Sequence, residues 1–93
     1  MPLFAIYCVD KEDSQALRAA TRPKHLDYVA GIGDRLLAAG PLLDGDRPVG
    51  SLLIVESPDA GAAEAFAAGD PYNKAGLFES VRVTGWRKAL PEA

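Results

Sequence analysis

The sequence LFAIYCV at residues 3–9 is an unbroken apolar run of residue types that favour β-strands, and the polar sequence DKED at residues 10–13 ends it. The run does not alternate between apolar and polar residues, so both faces of the predicted strand must be covered. The apolar sequence LLIV at residues 52–55 follows Ser51 and has the same character. The two runs together predict a sheet with helices on one face and a second apolar surface on the other.

Two helical segments are predicted after the first strand. The alanine-rich residues 14–21 predict a short helical segment, and Pro23 is a residue that the first turn of a helix tolerates. We therefore expect a second, amphipathic helix that begins near Arg22 and ends at Gly40-Pro41, because glycine suits a helix terminus and proline cannot continue it.

The rest of the chain predicts a hairpin, a helix and a last strand. A short extended piece at residues 42–43, a turn at 44–48 and a strand at 51–55 form the hairpin. Ser57 is the predicted cap of a helix that has Pro58 at its first position and ends at Gly69. The alternating residues 78–86 predict the last strand.

The resulting order of strand, helix, strand, strand, helix, strand is that of a ferredoxin-like α+β fold. In this fold a four-stranded antiparallel sheet carries both helices on one face, and the other face is left bare. Residues 1–93 are predicted to form a single domain, because a chain of 93 residues has no room for a second core. An exposed apolar sheet face predicts a homodimer packed sheet to sheet. The alternative is a monomer whose sheet face is less apolar than the sequence indicates.

Charge and composition exclude several classes of partner. The chain has 10 Lys and Arg against 13 Asp and Glu, with net charge −3 and no basic stripe, so we expect neither nucleic acid nor an acidic membrane surface as a partner. Cys8 is the single cysteine and cannot form an intramolecular disulfide, and no apolar run approaches the roughly 18 residues of a membrane span. We therefore predict a cytoplasmic protein with a buried thiol.

His25 and Asp70 are the candidate chemical groups. His25 is the only histidine, and its predicted place in the first turn of a helix, after Arg22, requires a carboxylate partner from elsewhere. Asp70 precedes Pro71 and Tyr72, so it either caps a turn by accepting a backbone N–H or orients His25. Arg22 either binds an anionic group or is a solvated side chain, and His25 itself is either a catalyst or a structural residue.

The sequence gives little support for metal binding or phosphate binding. Gly40-Pro41 and Gly50-Ser51 lie where strands are predicted to begin, and small residues there let a ligand approach the backbone, although taken alone they indicate only turns. One histidine with scattered carboxylates gives no metal-ligand spacing, and no glycine-rich phosphate loop follows a predicted strand. We therefore predict no metal and no organic cofactor.

Several pieces of the sequence, spread nearly end to end, are together similar to the YCII-related family. They are RPKHLDY at residues 22–28, AGPL at 39–42, GSLLI at 50–54, and DPY at 70–72 with AGLF at 75–78. The family resembles muconolactone isomerase and monooxygenase-like proteins in fold, which implies a dimeric α+β barrel.

The resemblance also implies a site. A pocket is expected between the sheet and the start of the helix, with His25 and Asp70 as a catalytic pair. The other matched positions, which would bind substrate or shape the pocket, are Arg22, Gly40, Pro41, Ser51 and Tyr72. Enzymatic members resemble lyases that act on chlorinated or hydroxylated aromatic compounds, but the motifs do not carry a substrate over to this chain.

The leading hypothesis is a small cofactor-independent lyase or isomerase, similar to a dehydrochlorinase or to muconolactone isomerase. A carboxylate bonded to one imidazole nitrogen fixes the tautomer and makes the other nitrogen a better base, so His25 with Asp70 would move a proton on a small cyclic or aromatic-derived compound. One alternative is a non-catalytic small-molecule-binding or accessory dimer that uses the same pocket. Another is a purely structural or regulatory dimer.

Overall fold

The computed structural model describes residues 1–92, and a four-stranded antiparallel sheet lies at its centre. The strands are β1 (Leu3–Asp10), β2 (Leu36–Asp44), β3 (Arg47–Glu56) and β4 (Phe78–Trp86), in the order β2-β3-β1-β4. The helices are α1 (Gln15–Ala30), α2 (Ala60–Gly69) and the short α3 (Pro71–Lys74). The fold is ferredoxin-like, which confirms the predicted fold class and order of elements.

The two faces of the sheet differ in what covers them. Along β1 the side chains of Phe4, Ile6 and Cys8 are buried, whereas Tyr7 between them is 47% exposed. Tyr7 pairs in register with Leu52 of β3, which is also exposed. Helix packing therefore buries one face, and the other face carries apolar side chains that this chain does not cover.

One core connects the covered face to the helices. The sheet contributes Phe4, Ile6, Cys8, Leu53, Val55 and Phe78, and the helices and the segments beside them contribute Val29, Ala63, Ala67, Tyr72 and Leu77. Within residues 1–92, no helix is long and apolar enough to cross a membrane.

The predicted break between two helices near Arg22 is wrong, because α1 runs without interruption through Pro23. Proline lacks an N–H and so removes one hydrogen bond from a helix interior. Here the buried residues Arg18, Thr21, His25 and Val29 recur every three or four positions on both sides of the proline. Packing of this continuous face outweighs the local cost of Pro23.

The predicted end of the long helix at Gly40-Pro41 is also wrong. The helix ends at Ala30, the N–H of Gly31 donates to the carbonyls of Asp27 and Tyr28, and a 3₁₀ turn at Gly33–Arg35 leads into β2. Gly40 and Pro41 both lie inside β2, an edge strand, where a proline without an N–H is tolerated.

The start of α2 differs from the prediction by two residues. Asp59, not Ser57, caps the helix, and its Oδ1 accepts a 2.7 Å hydrogen bond from the N–H of Ala62. The Ser57 hydroxyl instead donates to the carbonyl of Asp59. Strand β4 spans Phe78–Trp86 and confirms the predicted last strand.

Candidate active site

A pocket of about 410 Å³ lies between α1 and the strands β2 and β3. Six of the seven predicted site residues line it, namely Arg22, His25, Gly40, Pro41, Ser51 and Tyr72. The seventh, Asp70, lies behind His25 and contacts it directly. The structure thus brings the predicted residues together, although they come from α1, β2, β3, α3 and the residue between α2 and α3.

His25 and Asp70 form a close, buried contact. His25 Nδ1 lies 2.8 Å from Asp70 Oδ1 and 2.9 Å from Oδ2, and the two side chains are 8% and 4% exposed. The predicted place of His25 in the first turn of a helix is wrong, since the residue lies well inside α1. The positive end of the helix dipole therefore does not act on its imidazole.

Asp70 fulfils both of the roles that the sequence left open. Its Oδ1 accepts a 2.9 Å hydrogen bond from the N–H of Tyr72 and so caps α3. The same carboxylate contacts His25, which means that a cap fixes the position of the group that orients the imidazole. The same carboxylate therefore both stabilises the backbone turn and orients the histidine.

The contact with Asp70 determines which nitrogen of His25 is free. A carboxylate accepts hydrogen bonds, so in the neutral imidazole Nδ1 carries the proton and Nε2 has the lone pair. Every fully buried side-chain nitrogen or oxygen atom of residues 1–92 has a hydrogen-bond partner. Nε2 forms no hydrogen bond within these residues, so it is not fully buried, and because His25 lines the pocket, Nε2 faces the pocket.

Arg18 is a buried pocket residue that the sequence analysis missed. Its Nε lies 2.7 Å from Asp10 Oδ2, and its Nη2 donates to Asp10 Oδ1 at 3.1 Å and to Ser51 Oγ at 2.8 Å. Burial lowers the pKa of Arg18, but the hydrogen bond and charge of Asp10 outweigh it and raise the pKa above its usual value. The guanidinium is a fixed positive charge in the pocket wall.

The helical spacing carried a signal for Arg18. Positions 18, 22 and 25 are separated by four and three residues, so Arg18, Arg22 and His25 share one face of a continuous helix. Breaking the predicted helix at Arg22 removed Arg18 from that face. Asp10 was assigned only to the polar sequence that ends β1, and no local pattern pairs it with Arg18.

The ring of Tyr72 connects the two polar groups. It stacks on the imidazole of His25 with centroids 4.0 Å apart, and the Arg18 guanidinium carbon lies 4.5 Å from its centroid. Burial raises the pKa of Tyr72 above its usual value, while the positive charges of Arg18 and Arg22 act in the opposite direction. Tyr72 is therefore a neutral phenol at neutral pH, able to donate a hydrogen bond.

The glycines differ in role. At Gly40 a Cβ atom would meet nothing within 4 Å, which is consistent with its position at the pocket. At Gly50 a Cβ atom would collide with the carbonyl oxygen of Cys8 on the neighbouring strand. Gly50 does not line the pocket, and its missing side chain allows β1 and β3 to approach each other.

Cys8 lies buried on β1 beneath this region. Burial, followed by the negative charges of Asp70 and Asp10, raises the pKa of its thiol to about 12. The thiol is thus protonated and unreactive at neutral pH. Among residues 1–92, no group of three His, Cys, Asp or Glu side chains is arranged to hold a metal ion.

The chain is similar to a known protein family over most of its length. The model of the YCII-related domain family matches residues 2–87. Protein YciI of Escherichia coli is 40% identical to the chain over 97 aligned residues, which cover 95% of this chain and 99% of YciI. The match therefore includes all the residues of the pocket.

Two solved structures are also similar. The 5-chloro-2-hydroxyhydroquinone dehydrochlorinase of Burkholderia phenoliruptrix, solved in complex with 2,5-dihydroxybenzoquinone, has a TM-score of 0.84 at 31% identity, covering 91% of this chain and 93% of that chain. An antibiotic biosynthesis monooxygenase has a TM-score of 0.56 at 17% identity, covering 98% and 100% of the two chains. The second likeness concerns the fold alone.

Proposed function

The chain belongs to the YCII-related family, and from that premise we propose that it is a small cofactor-independent lyase or isomerase in which His25 transfers a proton. The observation that carries this proposal is the contact of His25 Nδ1 with Asp70, which leaves Nε2 as a base facing the pocket. The substrate class is a small cyclic or aromatic-derived compound.

The proposed step balances without a co-reactant. Nε2 accepts a proton from a C–H or O–H group of the substrate, and the electron pair released forms a new double bond. In an elimination, a leaving group departs with its own bonding electrons. In an isomerisation, His25 returns the proton to a different carbon. Asp70 stabilises the imidazolium that forms in either case.

The dehydrochlorinase supports this reaction class. Its name describes removal of hydrogen chloride from a chlorinated and hydroxylated aromatic ring, which is an elimination of one proton and one leaving group. At 31% identity and a TM-score of 0.84, it is a related structure whose named reaction is one that a single histidine base can carry out. The pocket of about 410 Å³ is large enough for a single aromatic ring.

Chloride release from 5-chloro-2-hydroxyhydroquinone, followed without oxygen, tests the proposal. His25→Asn keeps a group that can donate to Asp70 but has no base, so we expect its rate to fall by roughly 100- to 10,000-fold. Lys24→Gln, an exposed neighbour on α1 that does not line the pocket, is the matched control and should keep the wild-type rate.

The alternative function predicts a different result. A non-catalytic small-molecule-binding or accessory dimer would bind 2,5-dihydroxybenzoquinone saturably, release no chloride, and incorporate no deuterium from solvent into a bound enolisable compound. That outcome would overturn the catalytic proposal in favour of the binding role. A purely structural dimer would bind nothing, and His25→Ala and Asp70→Ala would change only stability.

The proposed assembly is a homodimer formed through the uncovered sheet face. Tyr7 and Leu52 lie side by side on that face and are 47% and 38% exposed, a type of apolar patch that usually marks an interface. Leu52→Lys should halve the mass measured by analytical ultracentrifugation, whereas Leu17→Lys on α1 should not. A monomeric wild-type protein would contradict the proposed assembly.

The proposed location is the cytoplasm, since the single thiol of Cys8 is buried and suits a reducing compartment. Fractionation of cells that express the tagged full chain checks this, and recovery outside the cytoplasm would contradict it.

A further inference from the structure

Arg18 differs from the other cations of the molecule in being both buried and held from several sides. The residue is 7% exposed, and its guanidinium binds the carboxylate of Asp10 through two nitrogens and the hydroxyl of Ser51 through one. A bidentate contact of this kind fixes the plane of the guanidinium. Its orientation in the pocket wall is therefore set before any ligand arrives.

Two polar groups of this wall, Arg18 and Tyr72, each keep a hydrogen-bond donor that Asp10 and Ser51 do not use. Arg18 uses Nε and Nη2 for Asp10 and Ser51, which leaves Nη1 outside these contacts. The Tyr72 hydroxyl lies within hydrogen-bonding reach of the Arg18 guanidinium and raises its pKa, and because the hydroxyl oxygen is the acceptor there, its own proton remains available for donation. Both side chains are more than nine-tenths buried and line the pocket, so these donors are held at its wall.

We propose that Arg18 and Tyr72 form an oxyanion-binding subsite, and that the ligand is a small ring compound bound through an ionised ring hydroxyl, as a phenolate or enolate. This inference rests on the proposed function and names the substrate class for the same site. Arg18 Nη1 and the Tyr72 hydroxyl donate hydrogen bonds to the oxyanion, while His25 Nε2 stands ready for the proton. Asp10 and Ser51 act as positioning residues, because they hold Arg18.

The charges of the pocket favour an anion. Arg18 and Arg22 line the pocket, whereas neither Asp10 nor Asp70 does, so the charges that a ligand would meet are positive. Asp10 pairs with Arg18, but Arg22 forms no ion pair within residues 1–92. The Arg18 guanidinium carbon lies 4.5 Å from the Tyr72 ring centroid, and Arg22 lines the same pocket. The positive charges of both arginines lower the pKa of the Tyr72 phenol against the effect of burial. Donors that are already oriented in a water-poor site stabilise a negative charge more than the same donors in water.

A pair of matched probes tests the inference directly. 4-Nitrophenol ionises near neutral pH and its phenolate absorbs visible light, whereas nitrobenzene has a similar shape and cannot ionise. With wild-type protein at mildly acidic pH, we expect bound 4-nitrophenol to show the phenolate band, and to bind about 10-fold or more tightly than nitrobenzene.

Substitutions locate the effect. Arg18→Met should weaken phenolate binding by about 10- to 100-fold and change nitrobenzene binding little, since hydrogen bonds to charged groups contribute about 1.5–3 kcal/mol. Arg35→Met, outside the pocket, is the control and should leave both affinities unchanged. If Arg18→Met does not fold, Ser51→Ala removes one contact of Nη2 and should lower the ratio of phenolate to nitrobenzene affinity by a smaller factor.

The outcomes separate this inference from the proposed function. Equal binding of the two probes by the wild-type protein, or no saturable binding of 4-nitrophenol, would overturn the oxyanion subsite while leaving the His25 assay to decide the reaction. Selective phenolate binding that depends on Arg18, together with chloride release that does not depend on His25, would support the subsite and reject the proposed catalysis.

Discussion

Two buried carboxylates hold two different side chains of α1. Asp10 lies 2.7 Å from Arg18, and Asp70 lies 2.8 Å from His25, with all four side chains at most 8% exposed. The geometry is similar, but a guanidinium keeps its proton at any ordinary pH, whereas an imidazole can give one up. The Asp10 pair therefore fixes a charge, and the Asp70 pair fixes the position of a proton.

The second difference lies in the backbone. Asp70 accepts an additional hydrogen bond from the N–H of Tyr72 and is the cap of α3, whereas the two oxygens of Asp10 are used by Arg18. Asp70 thus keeps a partner when His25 is removed, but Asp10 loses its hydrogen-bonded cation when Arg18 is removed. This contrast predicts how much each change costs.

Arg18→Met should be the most destabilising of these changes. It leaves the Asp10 carboxylate buried without its cation, and breaking such a pair costs about 3–5 kcal/mol of unfolding free energy. Urea unfolding followed by circular dichroism measures the loss. Adding Asp10→Leu to Arg18→Met should recover part of the stability, and a double variant no more stable than the single one would show that an unpaired charge is not the cause.

Asp70→Ala should cost less, about 2–3 kcal/mol, because it removes one helix cap and the contact with His25. Asp70→Asn keeps an acceptor oxygen for the N–H of Tyr72 and should cost about half as much. The ¹⁵N chemical shifts of the His25 ring report the tautomer in both variants. An imidazole that stays protonated on Nδ1 in Asp70→Ala would show that Asp70 does not set the tautomer.

Cys8 lies close enough to both pairs to report on them together. Burial, Asp70 and Asp10 raise the pKa of its thiol from 9.0 to about 12, so the folded state disfavours the thiolate. A group whose pKa is raised by folding contributes stability below its unfolded pKa and loses it above, so this contribution should fall between pH 9 and pH 12.

The slope expected from one such proton is at most about 1.4 kcal/mol per pH unit. Tyr28 and Tyr72, whose pKa values burial also raises, add losses of the same sign at alkaline pH. Urea unfolding of wild type and Cys8→Ala across this range isolates the thiol. Parallel pH profiles for the two proteins would contradict the assignment to Cys8.

The fold was predictable because its signals are local. The apolar run in β1, the alternation in β4 and the proline and glycine positions are each read over a few residues, and they give the correct order of elements. The boundaries of α1 were not predictable in this way. Pro23 looks like a helix start locally, but packing of the face that carries Arg18 and His25 continues the helix through it. Gly40-Pro41 looks like a helix end, but the chain has already left the helix after Ala30.

The site residues divide in the same way into those that local sequence motifs predict and those that depend on packing between elements. Arg22, His25 and Tyr72 belong to compact motifs, and the structure places all of them at one pocket. The contact between Asp10 and Arg18 spans only eight residues, yet it crosses from a strand to a helix whose predicted boundary was wrong. Whether such an ion pair forms depends on the angle between the strand and the helix, which a local sequence pattern does not predict.

A third carboxylate–cation pair is exposed to solvent, so it separates the effect of burial from that of contact distance. Asp44 Oδ2 and Arg47 Nη2 lie 3.2 Å apart across the β2–β3 turn, with side chains 70% and 58% exposed. Water and salt screen such a pair, and holding two long side chains costs entropy, so Arg47→Gln should change the unfolding free energy by less than about 0.5 kcal/mol. Urea unfolding at low and high salt measures it. A loss approaching that of Arg18→Met would show that contact distance, and not burial, determines what these pairs contribute.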